Sequence, residues 1–187
     1  MENWRNIIGD YNLCILESMP SETYEGLLSV FIISLVIALA IRGYKREIRI
    51  CSCVLLFEYI YCLYCFTVFY RPISAIQRYD FHPFWSYMAI MEGRTELISE
   101  HIMNVLVFVP IGFLFGITMC SLTFKWVVIF GGIISLGIEV LQFIMCRGFS
   151  EIDDMMHNVL GCLLGYWGCS IIRIAYEKFS KSYMGLL

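Results

Sequence analysis

The feature that most constrains this chain is a series of five apolar runs, each long enough to cross a bilayer as a helix. "YEGLLSVFIISLVIALAI" fills residues 24–41 and "ICSCVLLFEYIYCLYCFTVFY" fills 50–70. A third runs from about 98 to 120 around "NVLVFVPIGFLFGITM", and a fourth, "FKWVVIFGGIISLGIEVLQFIMC", from 124 to 146. The fifth covers 155–175 around "NVLGCLLGYWGCSIIRIA". A hydrocarbon core takes about 20 residues of helix. Within it every backbone group must be paired inside the protein, which leaves helices and closed barrels. No run alternates with the period of a strand. The expected fold is therefore all-α: one polytopic transmembrane helix bundle of about five spans over residues 1–187. Composition agrees, since 16% of residues are charged where a soluble domain carries about 25%. The first twenty residues mix acids with apolar residues and lack the basic and apolar regions of a signal peptide. With Trp4 and Tyr11 at headgroup level they read as a short interfacial helix, with a flexible tail as the alternative.

Several functions find no support. The net charge of -3 comes with no basic stripe interleaved with aromatics, so a nucleic-acid partner is not expected. Nine cysteines are an odd number, and most lie in or beside apolar runs, where cysteine behaves as a small hydrophobe. Cys62 and Cys65 form a CxxC inside a span, away from the βαβ setting of a redox motif. Neither HExxH nor Cys/His spacing marks a metal site, and no P-loop or GxSxG is present, so no metal or cofactor is expected. Orientation rests on Lys and Arg in short loops. Alternation groups Arg42, Lys45, Arg46, Arg49, Lys125, Arg173, Lys178 and Lys181 on one side, against Arg5, Arg71, Arg78, Arg94 and Arg147 on the other. The richer side is expected to be cytoplasmic, with the N-terminus outside and the C-terminus inside.

Between the fourth and fifth runs stands "RGFSEIDDMMHN", residues 147–158, a polar insert between two apolar segments. Alternation brings polar residues of three helices to its level. Glu100, His101 and Asn104 open the third run; Glu139 and Gln142 close the fourth; His157 and Asn158 open the fifth. Glu139 is seven residues before Cys146, or about 10 Å below the helix end. A carboxylate at such depth costs about 2.5–3.5 kcal/mol on insertion scales, and it faces the bundle and pairs, or serves function. Glu139 and Gln142 share a face, as do Asp154 and Asn158, and Arg147 can hold a carboxylate or phosphate with two hydrogen bonds. The same residues admit structural readings: an ion pair between Glu139 and Arg147, or a headgroup anchor at Arg147. "SEID" has the form of a capping box, so that Ser150 and Asp153 cap the fifth helix. Gly112 and Gly116 after Pro110, and Gly161 and Gly165 after Asn158, allow the third and fifth helices to approach closely.

In this order the motifs resemble the VanZ-like family of small bacterial membrane proteins. "FHPFWSY" at 81–87, "NVLVFVPIGFLFG" at 104–116, and "IEVLQ", Arg147 and "SEIDDMMHNVLGCLLGY" at 150–166 carry the likeness, which covers about 81–166. The resemblance implies a multi-pass protein of the bacterial plasma membrane, related to resistance to teicoplanin, a glycopeptide with a lipid tail. It places the polar signature on Pro83, Phe84, Asn104, Pro110, Gly112, Glu139, Gln142, Arg147, Asp153, Asp154, Asn158 and Gly161. His82 and His101 stand outside that pattern. The reading that joins both lines is a binding module contributing to glycopeptide resistance or envelope homeostasis. Asn104, Glu139, Gln142, Arg147, Asp153, Asp154 and Asn158 would form an outer cup for a lipid-tailed antibiotic or a lipid-linked wall precursor, with membrane lipids around it. The alternative is an enzyme acting on a lipid-linked envelope substrate. Its catalytic candidates are Glu139 as base, Arg147 as anion stabiliser, and Asp154.

Overall fold

The computed structural model describes residues 45–119 and 123–184. The expected first span at 24–41 and the N-terminal interfacial helix lie outside the described residues. Helix α1, Lys45–Tyr64, continues into a π-helical turn at Cys65–Phe69. Strand β1, Tyr79–Asp80, and the short helix α2, Trp85–Met91, follow. Helix α3 is Glu96–Thr118 and α4 is Phe124–Met145. Strand β2, Ser150–Glu151, leads directly into α5, Ile152–Met184. Among the described residues, four helical stretches are long and apolar enough to cross a membrane: Arg49–Phe69, Glu96–Thr118, Phe124–Met145 and Ile152–Lys178. The last is longer than the apolar run from which it was expected. Its polar start is folded onto β2, and its charged end continues as helix past the apolar stretch.

Three helix pairs organise the bundle: α3–α5, α4–α5 and α1–α3. Helices α3 and α5 meet backbone to backbone: a Cβ on Gly112 would stand 1.8 Å from the Cys162 carbonyl oxygen, and one on Gly161 would stand 2.1 Å from that of Val105. Without a hydrophobic driving force in lipid, such close packing supplies the attraction. Helix α1 leans on α3, where the Tyr59 hydroxyl donates to the Val107 carbonyl at 2.9 Å, three residues before Pro110. Leu63, Phe108, Ile111, Leu114, Val127 and Cys162 fill the core between the helices. The outward faces carry Val54, Phe57, Leu106, Ile133 and Ile171, all exposed, as lipid-facing helices require.

The connections fold back on the bundle. The strands pair in parallel, Tyr79 with Ser150 and Asp80 with Glu151, so the α1–α3 connection is tied to the α4–α5 connection. This pairing changes the role expected of the "SEID" box. The Ser150 N–H donates to the Arg78 carbonyl at 3.1 Å, and its hydroxyl donates to the Glu139 carbonyl at 3.1 Å. Asp153, fully buried, caps another helix instead of its own. It accepts from the Phe84 N–H at 2.7 Å, the Ser86 N–H at 3.1 Å and the Ser86 hydroxyl at 2.6 Å. Phe84 enters α2 in the left-handed region, at φ 65°. That turn presents two backbone donors to one carboxylate, the partners a helix N-terminus ordinarily lacks.

Candidate functional site

The end of α1, the π turn, α3, α4 and α5 line a cavity of about 150 Å³. Its apolar lining is Leu63, Phe66, Met103, Val107, Phe108 and Ile138. Its polar lining includes Arg71, Asn104, Glu139, Gln142, Asp154 and Asn158. Periodicity places them there. Ser135, Glu139 and Gln142 lie at i, i+4 and i+7 and form a buried polar stripe on α4. Asp154 and Asn158 form its counterpart on α5. Of the residues expected to gather in a cup, Asn104, Glu139, Gln142, Asp154 and Asn158 line this one space.

Each is held by a second contact. A Glu139 carboxylate oxygen accepts from the Glu151 N–H at 2.8 Å, so β2 fixes the side chain. The Asn104 side chain hydrogen-bonds Asp154. Asn158 donates to the Ser135 hydroxyl at 2.8 Å. Gln142 donates to the Thr67 carbonyl at 3.0 Å, which the π turn leaves open because Pro72 has no N–H to offer. The other Gln142 atom, Oε1, is buried without a hydrogen-bond partner, and so is Nε of Arg71. Just outside the span, burial and then the acids Asp154, Glu100 and Glu139 push the Glu151 carboxyl up to about 9. The Trp85 indole N–H, 3.1 Å from Glu151, pulls the other way.

Two members of the expected cup lie outside the cavity lining. Arg147 does not pair with Glu139 and does not line the cavity. Its guanidinium donates to the carbonyls of Phe69 and of Arg71, the latter at 3.2 Å, and so closes the open end of the first described span. Helix-end carbonyls need such partners. The Arg147 backbone also bridges to Ile73. Asp153 is consumed by α2 and likewise stands outside the cavity lining. The cation that faces the carboxylates is Arg71, whose charge acts on both Glu139 and Asp154. Sequence reasoning placed Arg71 only as a loop charge. Its position directly after a span that ends in Tyr70, and before Pro72, was the available signal. Gly148, at φ +87°, makes room for it, since a Cβ there would meet the Arg71 guanidinium at 2.5 Å.

The histidines lie elsewhere. His82 bonds Asp80 at 2.8 Å at the exposed rim. His101 and His157 stack with ring centroids 4.0 Å apart, and His157 Nε2 meets the Tyr87 hydroxyl at 2.7 Å. Neither belongs to the cavity lining. Cys62 lies in α1 and Cys65 opens the π turn, both as free thiols.

Fold and site together define a class: a polytopic helical membrane protein with a half-polar cavity set into its bundle. The chain belongs to the VanZ/LLP1 family, whose model matches residues 56–173. Protein VanZ of Enterococcus faecium is 30% identical to it over 89 residues, which are 46% of this chain and 55% of that protein. The chain thus spans about half the length of the curated relative it matches. No solved structure matches it.

Proposed function

We propose that the cavity binds the polar end of a lipid-tailed ligand at the outer face of a bacterial plasma membrane. By doing so, the protein lowers susceptibility to lipid-tailed glycopeptides such as teicoplanin. The ligand is the antibiotic itself or a lipid-linked wall precursor that it engages. The observation that carries this reading is a cavity within the bundle whose lining mixes apolar side chains with polar ones and keeps unpartnered Gln142 and Arg71 atoms. Buried polar atoms are nearly always paired, so those left over are places where a ligand or a water can bond. The likeness to a protein named VanZ supports the resistance role, and the Lys and Arg distribution supports placing the cavity outside. Whole small-molecule sites measure roughly 300–1,000 Å³. A cavity of about 150 Å³ therefore takes one end of such a ligand, while its tail stays in lipid and its bulk at the surface.

The test is susceptibility of a sensitive Gram-positive host making this protein, to teicoplanin and to vancomycin. Glu139→Gln is compared with the unmodified chain at matched membrane abundance. Protection against teicoplanin alone, lost in the variant, is the expected result. Full protection from the variant at normal abundance would remove the cavity from the function. No protection from the unmodified chain would remove the resistance role.

A further inference from the structure

The short helix α2 has no polar outer face. Its residues, Trp85–Met91, include no charge. Ser86 and Ala89 are buried against the bundle. The opposite stripe, Phe84, Met88 and Met91 at i, i+4 and i+7, is 53%, 63% and 88% exposed. A helix that is apolar all round is ordinarily covered, by protein or by lipid. Among the described residues, none covers this stripe.

The bonds of α2 fix its height along the spans. The Phe84 and Ser86 N–H groups meet Asp153 in the first turn of α5. The Tyr87 hydroxyl meets His157, which lies about 7–8 Å along that helix from its start. The Tyr87 ring also stands 5.1 Å from that of His101 on α3. Below this level both helices lose their charges. No Asp, Glu, Lys or Arg occurs from 155 to 172 on α5, or from 101 to 118 on α3. Each stretch is about 27 Å long. A hydrocarbon core is about 30 Å thick, so it takes up both in full, and its edge lies at the level of Glu100 and Asp154. Helix α2 stands at that edge. Ile102 on α3 and Met156 on α5, at the same height, are exposed as well, so the apolar surface continues from α2 onto the spans.

We infer that the outer stripe of α2 is a lipid-docking surface. Phe84, Met88 and Met91 lie in the boundary between headgroups and acyl chains, and α2 is seated in the bilayer that the spans cross. Three side chains cannot supply the roughly 800 Å² that each partner of a stable protein interface buries, whereas lipid makes no such demand. The charged residues Glu92 and Arg94 follow the helix directly, with the Arg94 guanidinium 5.1 Å from the Trp85 ring. An amphipathic ring capped by a cation is the arrangement found at membrane–water interfaces. This inference is independent of the ligand of the cavity and of which face of the membrane is the outer one.

The test uses the full chain in phosphatidylcholine vesicles. Met91→Trp replaces the most exposed side chain of the stripe, and its added emission is the difference from the unmodified chain. That emission should be quenched by phosphatidylcholine brominated near the headgroup end of its acyl chains. It should be quenched less by lipid brominated near the methyl ends, and little by iodide in solution. Quenching by iodide and by neither brominated lipid would overturn the inference and place α2 in water. Resistance to all three quenchers would overturn it in favour of a protein cover, a second copy or another chain. The unmodified chain supplies a second measurement. Burial of a methionine side chain corresponds to at least a factor of about ten. Chloramine-T, a water-borne oxidant, should therefore oxidise Met88 and Met91 about tenfold more slowly than a methionine peptide in the same suspension, read by mass spectrometry. Equal rates would overturn the inference whatever the variant shows.

Discussion

Removing the Asp153 carboxylate tests whether that residue holds the fold or the ligand. It is fully buried and accepts three hydrogen bonds, at 2.7, 3.1 and 2.6 Å, from the first turn of α2. Hydrogen bonds to a charged group contribute about 1.5–3 kcal/mol each, and a buried donor left alone costs about 1–3 kcal/mol. Such terms are not additive within one network. Asp153→Ala should thus destabilise by at most about 4.5 kcal/mol, the low end for all three bonds, and by about 3–4 kcal/mol once their coupling is counted. At about 2–4 °C per kcal/mol for a chain of this size, the melting temperature falls by roughly 10 °C. Asp153→Asn keeps one acceptor oxygen but turns an amide toward backbone donors, and should lie close to the alanine variant. Ser86→Ala removes only the hydroxyl bond and should lose about a third as much. Melting of detergent-purified protein, alongside teicoplanin susceptibility at matched abundance, separates the roles. Unchanged melting with lost protection in Asp153→Ala would refute the reasoning and return Asp153 to the binding set.

Three further outcomes are expected. Glu151 titrates near 9 in the folded protein against an ordinary value of 4.5. The folded chain therefore holds a proton that the unfolded chain releases across that interval, and stability falls as pH rises from about 5 toward 9. Melting curves at stepped pH should show this decline, and Glu151→Gln should flatten it. Arg71→Ala should abolish protection with melting little changed, whereas Arg147→Ala should lower the melting temperature first, because it opens the Phe69 and Arg71 carbonyls; susceptibility and melting measured on both variants check the exchange of roles. Gly161→Ala should cost about 1–3 kcal/mol by forcing α3 and α5 apart, since its methyl would stand 2.1 Å from the Val105 carbonyl oxygen; reduced yield of monodisperse protein on size-exclusion chromatography is the measurement.

Spans and their packing were legible because both are local patterns. Apolar length gave three of the described spans to within a few residues and the start of α5, which runs on past its apolar stretch, and glycines spaced by four marked the α3–α5 contact. Five polar residues of the cavity were legible because alternation of spans sets their depth and helical period sets their face. What the sequence concealed is non-local. The "SEID" box reads as a cap until Ser150 is paired with a strand 71 residues earlier, Tyr79. Asp153 is claimed by Phe84, 69 residues away. Arg147 and Arg71 exchange expected roles because only folded connections decide which guanidinium meets carbonyls and which meets carboxylates. The connection at 71–97 carries neither a span nor a repeat. Its short strand and helix form because the ends of α4 and α5 offer them partners.

The pairing of β1 with β2 has a consequence for how the protein is made. The two strands belong to connections that leave the ribosome far apart in time, and α5 follows the second of them. A chain halted after α4 already carries Glu139 and Gln142, yet the Glu151 N–H that steadies one and the Asp154 and Asn158 side chains that line the cavity with both do not yet exist. The site matures only when the C-terminal helix is inserted and its first turn closes over the older loop. A chain that stops before β2 and α5 thus lacks Asp154 and Asn158 from the cavity lining and leaves the Glu139 carboxyl without its Glu151 N–H.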